Sequence, residues 1–303
     1  MHTYRDKLTS FIREQRLLLA FAAAALLIWG WAFWPRHPVL SVTFLDVRQG
    51  DSAFIRTPGG KTILIDAGEG GRHNGFDAGS HVVLPFLRRN GVRTLDVVVM
   101  THPHEDHVGG MPAVLRDVGA RTVMDPGESF ETSPHRDAMR LIRRQGARCI
   151  IARRGQAATF PDGVRITVLN PNDGAVDEED ESAINDHSVV LRVTYGHAAF
   201  LFDADAGHEA EEDMLRSCGR ISSTVLKVGH HGSAQATSEI WLKAARPRIA
   251  VISVGKHNPF GHPSREALQR LADSGARIFR TDRDGAVTIT TDGENMHVAT
   301  ARR

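Results

Sequence analysis

Thr101-His102-Pro103-His104-Glu105-Asp106-His107-Val108-Gly109-Gly110 gathers three histidines and an aspartate within six residues. The run before it, Leu95-Asp96-Val97-Val98-Val99-Met100, is apolar and β-branched and reads as a short buried strand, closed by Pro103. Side chains of extended chain alternate faces, so His102, His104 and Asp106 are expected to point the same way just beyond the strand end. Gly109-Gly110 is expected to let the backbone turn sharply into a helical stretch from Met111 to Val118. Asp106 and His107 then stand where strand gives way to helix and aim at one point from two directions. Neutral imidazole and carboxylate are ligands that zinc and manganese accept. The buried strand ahead of the cluster supplies the structural context that a motif needs.

His-x-His-x-Asp-His at 102–107 resembles the signature of the metallo-β-lactamase superfamily. That resemblance implies an α/β fold, a four-layer αββα sandwich with a metal site between its halves. The motif alone names only the superfamily.

With 303 residues, 41% hydrophobic and 24% charged, the chain can hold one large domain or two small ones around a sizeable core. Formal net charge is +1, with residues 1–35 at +2 and the remaining 33 basic and 34 acidic residues at about −1. A polyanion-binding domain usually carries a basic footprint, and this balance does not supply one. Leu17 to Trp34 contains no charge in 18 residues and ends in Trp29, Trp31 and Trp34, which suits a bilayer span. Arg5, Lys7, Arg13 and Arg16 precede it, so the positive-inside rule puts residues 1–16 in the cytoplasm. Residues 39–300 are then expected outside it, periplasmic or extracellular, on a single pass of the inner membrane. A cleaved signal peptide is the rival, but its apolar region is usually shorter and ends at a small-x-small site rather than Trp-Pro-Arg. Cys149 and Cys218 provide no disulfide framework and read as small hydrophobes.

Along the chain, strands are expected at Val39 to Val47, Ser52 to Arg56 and Thr62 to Ile65, the last two around a hairpin signal at Thr57 to Lys61. Further strands are expected at Thr122 to Met124, Cys149 to Ala152, Val164 to Leu169, Ser188 to Tyr195, Ala198 to Asp203, Ser223 to Val228 and Ile249 to Val254. Helices are expected at His81 to Arg89, Pro134 to Gln145, Glu209 to Arg216, Ser238 to Ala245 and from the N-cap Ser264 to Asp273. Closing strands are placed around Asp284-Gly285 and Asp292-Gly293. Arginines crowd 136–154 and acids crowd 173–186; they read as two solvated surfaces that offset each other's charge.

Further motifs narrow the resemblance. Phe44 to Ser52, Leu64 to Gly68, the opening motif, Leu226 to Ser233 and Asn258 to Pro263 occur in the order found in the metallo-β-lactamase-like domain of ComEC/Rec2 competence proteins. The resemblance covers about residues 39–300. It departs at Arg48, where the family usually has Gly, and at Asp203-Ala204, where it usually has Thr-Gly. The polytopic channel that accompanies this domain in full-length competence proteins is absent from the sequence given.

What the resemblance implies is a site of two divalent metal ions, zinc or manganese. His102, His104, Asp106, His107, the bridging Asp205 and His231 are the implied ligands. Typical β-lactamases of the superfamily carry one more His; here Asn185 to Val189 offers His187 behind the others. A metal-activated hydroxide held by Asp106 and Asp205 would attack phosphorus, with His230 first, then Lys227 or His262, stabilising the departing oxygen. Asp46, Gln49 and Asp51 are placed near the site, and Asp66 reads as a brace for the ligand loop. The expected function is a membrane-anchored hydrolase of phosphodiesters, DNA among them. Hydrolysis of a lactam, lactone or thioester is the second class, and a non-catalytic envelope module binding nucleic acid or a partner is the third.

Overall fold

Alternation along the strands sorts the apolar residues into layers. On Thr62–Ile65, Ile63 and Ile65 face one core while Leu64 faces another; on Thr94–Val99, Val99 and Val98 divide in the same way. Period-two patterning with both sets buried demands material on each face of a sheet. The computed structural model describes residues 38–71, 75–127, 132–174, 176 and 179–302, together with Gln15 and Phe21. The chain divides into two units, Met1–Pro38 and Val39–Arg303, and all the elements named here belong to the second.

Fifteen strands are described: β1 (Leu40–Phe44), β2 (Ala53–Arg56), β3 (Thr62–Ile65), β4 (Thr94–Val99), β5 (Gly119–Asp125), β6 (Arg148–Ile151), β7 (Ala157–Thr159), β8 (Arg165–Asn170), β9 (Val190–Tyr195), β10 (Ala198–Phe202), β11 (Val225–Lys227), β12 (Ile249–Ile252), β13 (Arg277–Arg280), β14 (Val287–Thr291) and β15 (Met296–Thr300). They form an eight-stranded sheet, β15-β14-β1-β2-β3-β4-β5-β6, and a seven-stranded sheet, β13-β12-β11-β10-β9-β8-β7. The inner faces meet in one core, where Phe44 and Phe202 stand 5.8 Å apart across the sheets. Leu84–Arg89, Met111–Asp117 and Ser133–Gln145 cover the outer face of the first sheet. His208–Ser217, Glu239–Ala245 and Arg265–Asp273 cover the second. The result is an α/β sandwich of two sheets between helices, the layering expected from the sequence.

Local sequence explains where these helices stop and start. Thr132 caps Ser133–Gln145 by accepting from His135 N–H, and Gly146 ends it in the left-handed region (φ 67°). Ser238 and Ser264 cap the next two helices of the second half through Trp241 and Ala267 N–H. Within the acidic run, Asp180 caps a short helix, Glu181–Asp186, that buries Ile184; the density of acids concealed it. The expected hairpin at Asp284-Gly285 is corrected. That turn carries the chain from β13 in one sheet to β14 in the other, whereas Asp292-Gly293 does join the antiparallel pair β14–β15. The two charged surfaces meet at one point, Arg153–Asp173 at 3.3 Å, while Arg154 pairs instead with Asp213 on the helix His208–Ser217. Both cysteines are free. The sequence-expected membrane segment, 17–34, lies outside the described residues, and among those residues no helix is long and apolar enough to cross a membrane.

Glu211 ties two outer helices together. Its buried carboxylate accepts the N–H groups of Thr237 and Ser238, at the start of Glu239–Ala245. Burial nevertheless pushes its pKa up to about 7, against the pull of those donors. A carboxyl raised on folding stabilises most below its unfolded pKa, and that contribution drains away as pH rises through the folded value. Between pH 4.5 and 7 the stability advantage of the wild type over Glu211→Gln should therefore shrink by about 3 kcal/mol. Urea midpoints of the two proteins across that range measure it; a constant gap would contradict the assignment.

Candidate metal centre

Four chain segments converge at one edge of the sandwich. β4 runs into residues 101–110, β10 into Asp203-Ala204-Asp205, and β11 into Gly229–Gly232, while the β1–β2 loop contributes Asp51. β10 and β11 are parallel neighbours, Phe202 opposite Lys227, so their carboxyl-terminal ends deliver side chains to the same place.

Asp66, just past β3, organises the histidine loop. Its fully buried carboxylate accepts Thr101 N–H at 2.9 Å, Thr101 Oγ–H at 2.6 Å and His107 Nδ1–H at 2.8 Å. With Nδ1 fixed as a donor, His107 turns the lone pair of Nε2 toward the site. Ser253 does the same for His231, its carbonyl accepting from Nδ1–H at 3.0 Å.

Asp205 occupies the middle. Its Oδ1 lies 3.3 Å from His107 Nε2, and its Oδ2 lies 3.6, 3.7 and 3.9 Å from Nε2 of His231, His230 and His102. Asp106 Oδ2 stands 3.1 Å from His231 Nε2. Donor atoms of Asp106, His107, Asp205 and His231 all fall within 4.8 Å of one another. His104 packs its ring nearly edge-on to His102, centroids 4.7 Å apart. The donor set fits a divalent cation. Nε2 of His102, Nε2 of His107 and Oδ1 of Asp205 are buried without a hydrogen-bond partner, a condition proteins rarely tolerate, and metal ligation would satisfy all three.

Without a cation, protons carry the balancing charge. Burial disfavours a charged His107, yet Asp205 and Asp106 raise its pKa well above the ordinary value. His231 is pushed up to about 10 by Asp205 and Asp51, again against burial. Burial would raise Asp205 and Asp106, but the neighbouring imidazoles of His107 and His231 hold both low. His102, buried beside His107, is driven the other way and stays neutral.

The remaining sequence-predicted residues separate into floor and mouth. Lys227, expected to reach a departing oxygen, is buried in an ion pair with Asp51 and also donates to Ala204 O at 3.3 Å. That corrects its role, because its ammonium is committed beneath the ligands. Asp51 stands 3.4 Å from His231 Nδ1 and 4.0 Å from His107 Nδ1, deeper than its loop position suggested. His230 is half-buried on the mouth side of Asp205, and the His262 ring lies 5.8 Å beyond it. Asp203 faces away, accepting from Trp241 Nε1 at 2.8 Å in the outer core. His187 ends the helix Glu181–Asp186 and lines a separate hollow with Asn170 and Asp186, outside the converging ligand atoms. Gln49 accepts from Gly255 N–H, and Asp46 pairs with Arg302 at 2.8 Å.

Backbone conformation at the site is unusual. Arg48, Asp66, Ala204, His230 and His231 all have φ between 44° and 68°, the left-handed region that costs a side-chain-bearing residue energy. Arg48 and Ala204 are the two positions where the family resemblance leads one to expect glycine. Gly109 and Gly110 behave differently from expectation: both are right-handed (φ −57° and −79°), so a sharp turn is not what they provide. They provide closeness, since a Cβ on Gly110 would sit 2.4 Å from Ala67 O and 2.5 Å from Gly79 N. The spacing of the motif gave no sign of that packing.

The family model of the metallo-β-lactamase superfamily matches residues 45–257, and the chain belongs to that superfamily. It is 30% identical over 266 residues to ComE operon protein 3 of Bacillus subtilis, covering 83% of this chain and 33% of that protein. It is 32% identical over 248 residues to competence protein ComA of Neisseria gonorrhoeae, covering 82% and 32%. The chain thus spans about one third of the length of these relatives. A shorter match, 33% over 85 residues, covers 28% of this chain and 10% of the endoribonuclease ysh1 of Schizosaccharomyces pombe. Among solved structures, the diiron β-hydroxylase CmlA of Streptomyces venezuelae superposes with TM-score 0.54 at 14% identity, over 84% of this chain and 54% of that one, a likeness of fold.

Two outcomes follow from this geometry. Ligation through Nε2 strips a proton from both His107 and His231, so zinc binding to the metal-free chain at pH 7 should release about two protons. Calorimetry in buffers of different ionisation enthalpy counts them, and affinity should weaken as pH falls; release near zero would contradict the site. Ala204→Gly should leave stability unchanged or raise it by about 0.5 kcal/mol, because relief of the left-handed strain offsets glycine's extra chain entropy. A loss of about 1 kcal/mol in chemical denaturation, typical of Ala→Gly within a helix, would contradict it.

Proposed function

We propose that residues 39–300 form a binuclear metal-dependent hydrolase of phosphodiesters, DNA among them, held outside the cytoplasm by an anchor at Leu17 to Trp34. The hydrolase reading rests on one observation above all. Asp205 presents both carboxylate oxygens to four imidazoles, with three of the donor atoms there lacking any hydrogen-bond partner. His102 and His104 would hold one cation and Asp106, His107 and His231 the other, with Asp205 available to both. Bound cations supply charge neutralisation at phosphoryl oxygens and acidify water near neutral pH.

The protein's own groups provide the rest. Asp205 and Asp106, kept ionised by their histidine neighbours, orient the attacking water. His230 stands at the mouth with its pKa lowered by burial, so it is neutral near pH 7 and offers an N–H to the departing oxygen. Lys227 and Asp51 fix the floor on which the histidines stand. The local match to an endoribonuclease supports the phosphodiester class over the lactam class. The anchor rests on the charge-free run and the basic residues before it.

The test uses the full-length chain loaded with zinc or manganese. It is assayed on bis(p-nitrophenyl) phosphate, single- and double-stranded DNA, and a chromogenic β-lactam. Diester cleavage without lactam cleavage is expected, with Asp205→Asn and His104→Ala each losing about 100-fold or more in kcat. Full diester activity in Asp205→Asn would overturn the mechanism. Cleavage of the β-lactam alone would move the protein to the other class, and absence of both metal and turnover would leave a binding module.

A further inference from the structure

A row of rings leads outward from the candidate metal centre. His230 Nε2 is 3.7 Å from Asp205 Oδ2, and the His262 ring stands edge-on to His230 at 5.8 Å. Phe260 then lies against His262 with centroids 5.9 Å apart and planes only 20° from parallel. Phe260 keeps 65% of its surface in water, at the rim of a cleft of about 860 Å³. An exposed phenyl buries little and contributes little to the core; what sets Phe260 apart from other exposed apolar residues is its place at the end of the ring row that leads to Asp205.

The charges of the cleft point to the kind of molecule that would cover it. Two of its acids are already paired, Asp46 with Arg302 at 2.8 Å and Asp282 with Arg280 at 2.7 Å. Glu69 is the third acid in the wall. Lys256 has no ion pair among the described residues, and the Arg48 guanidinium lies 3.6 Å over the Phe76 ring. The wall's three acids, Asp46, Glu69 and Asp282, are matched by three bases, Arg48, Lys256 and Arg302, so it is in charge balance, and the unit as a whole is near neutral. Charge so balanced does not hold a polyanion by itself. Base stacking does, and it is available only where bases are not already stacked on one another in a duplex.

Building on the phosphodiester reading, we propose that Phe260, backed by His262, is a base-stacking platform that makes single-stranded nucleic acid the substrate class. A base rests on the Phe260 face, Lys256 and Arg48 meet the flanking phosphates, and the ring row leads a diester further along the strand to Asp205. Phe260 is a specificity residue, outside the chemistry itself.

Two measurements test this on the full chain. With chelator present to prevent hydrolysis, a single-stranded oligonucleotide containing 2-aminopurine should lose fluorescence on binding. Phe260→Ala should abolish that quenching and Phe260→Trp should restore it, with only a shallow salt dependence. With metal present, kcat/KM for a single strand relative to the same strand carrying abasic sites should fall about tenfold in Phe260→Ala and recover in Phe260→Trp. Quenching that persists in Phe260→Ala, or an unchanged ratio, overturns the platform while leaving the hydrolase intact. Quenching that depends on Phe260 without hydrolysis of any diester supports the platform and removes the hydrolase.

Discussion

The geometry around Asp205 depends on a buried ion pair beneath it. Lys227 is carried by β11 of the seven-stranded sheet and Asp51 by the loop leading into β2 of the eight-stranded sheet, and both are buried. Withdrawing two such charges from water costs several kcal/mol apiece, repaid only when each finds well-placed partners. Lys227 finds Asp51 and the Ala204 carbonyl; Asp51 finds Lys227 and stands beside His231. Burial works against the Lys227 charge, but Asp51 and Asp205 more than restore it and its pKa is raised. The pair therefore latches sheet to sheet at the one edge where the ligands must come from both.

Above that floor, orientation is set by groups that never need to touch a substrate. Asp66 and the Ser253 carbonyl each take one N–H from a histidine, which decides the tautomer and the direction of the remaining nitrogen. The left-handed residues serve the same end. His230 and His231 follow β11 as two consecutive residues of positive φ, which brings both rings to Asp205 Oδ2 from one short turn, His231 fully buried and His230 toward the mouth. Such strain survives only where surrounding bonds over-determine the backbone, as His230 N–H to Ala204 O does at 2.9 Å.

Much of the architecture was legible because it is written in short-range pattern. Apolar, β-rich runs marked β1 to β6 and β8 to β12, and Ser264 stood where a helix cap belongs. The histidine loop was legible for the same reason, as one contiguous string behind a strand. What could not be read depends on distance in space. Nothing near Lys227 announces that Asp51 will lie under it, and Asp284-Gly285 carries an ordinary hairpin signal although its flanking strands find partners in different sheets. Gly109-Gly110 was noticed for the wrong physical reason, since only the folded chain reveals that Ala67 and Gly79 press on it. The roles of His230 and His262 came from resemblance, and the ring row joining them to Phe260 has no sequence signal beyond their proximity in the chain.

The pairing of β1 with β14 has a bearing on how the domain comes into being. Leu40 lies opposite Thr291 and Phe44 opposite Val287, so one flank of the first strand is completed by nearly the last one. A chain emerging amino-terminus first carries β1 with that flank bare until β14 has been made. Bare strand edges recruit other strands, and joining such distant segments is a late and slow event. The eight-stranded sheet is thus completed only once β14 has been made. Until then one edge of β1 stays unpaired, the kind of edge that recruits other strands.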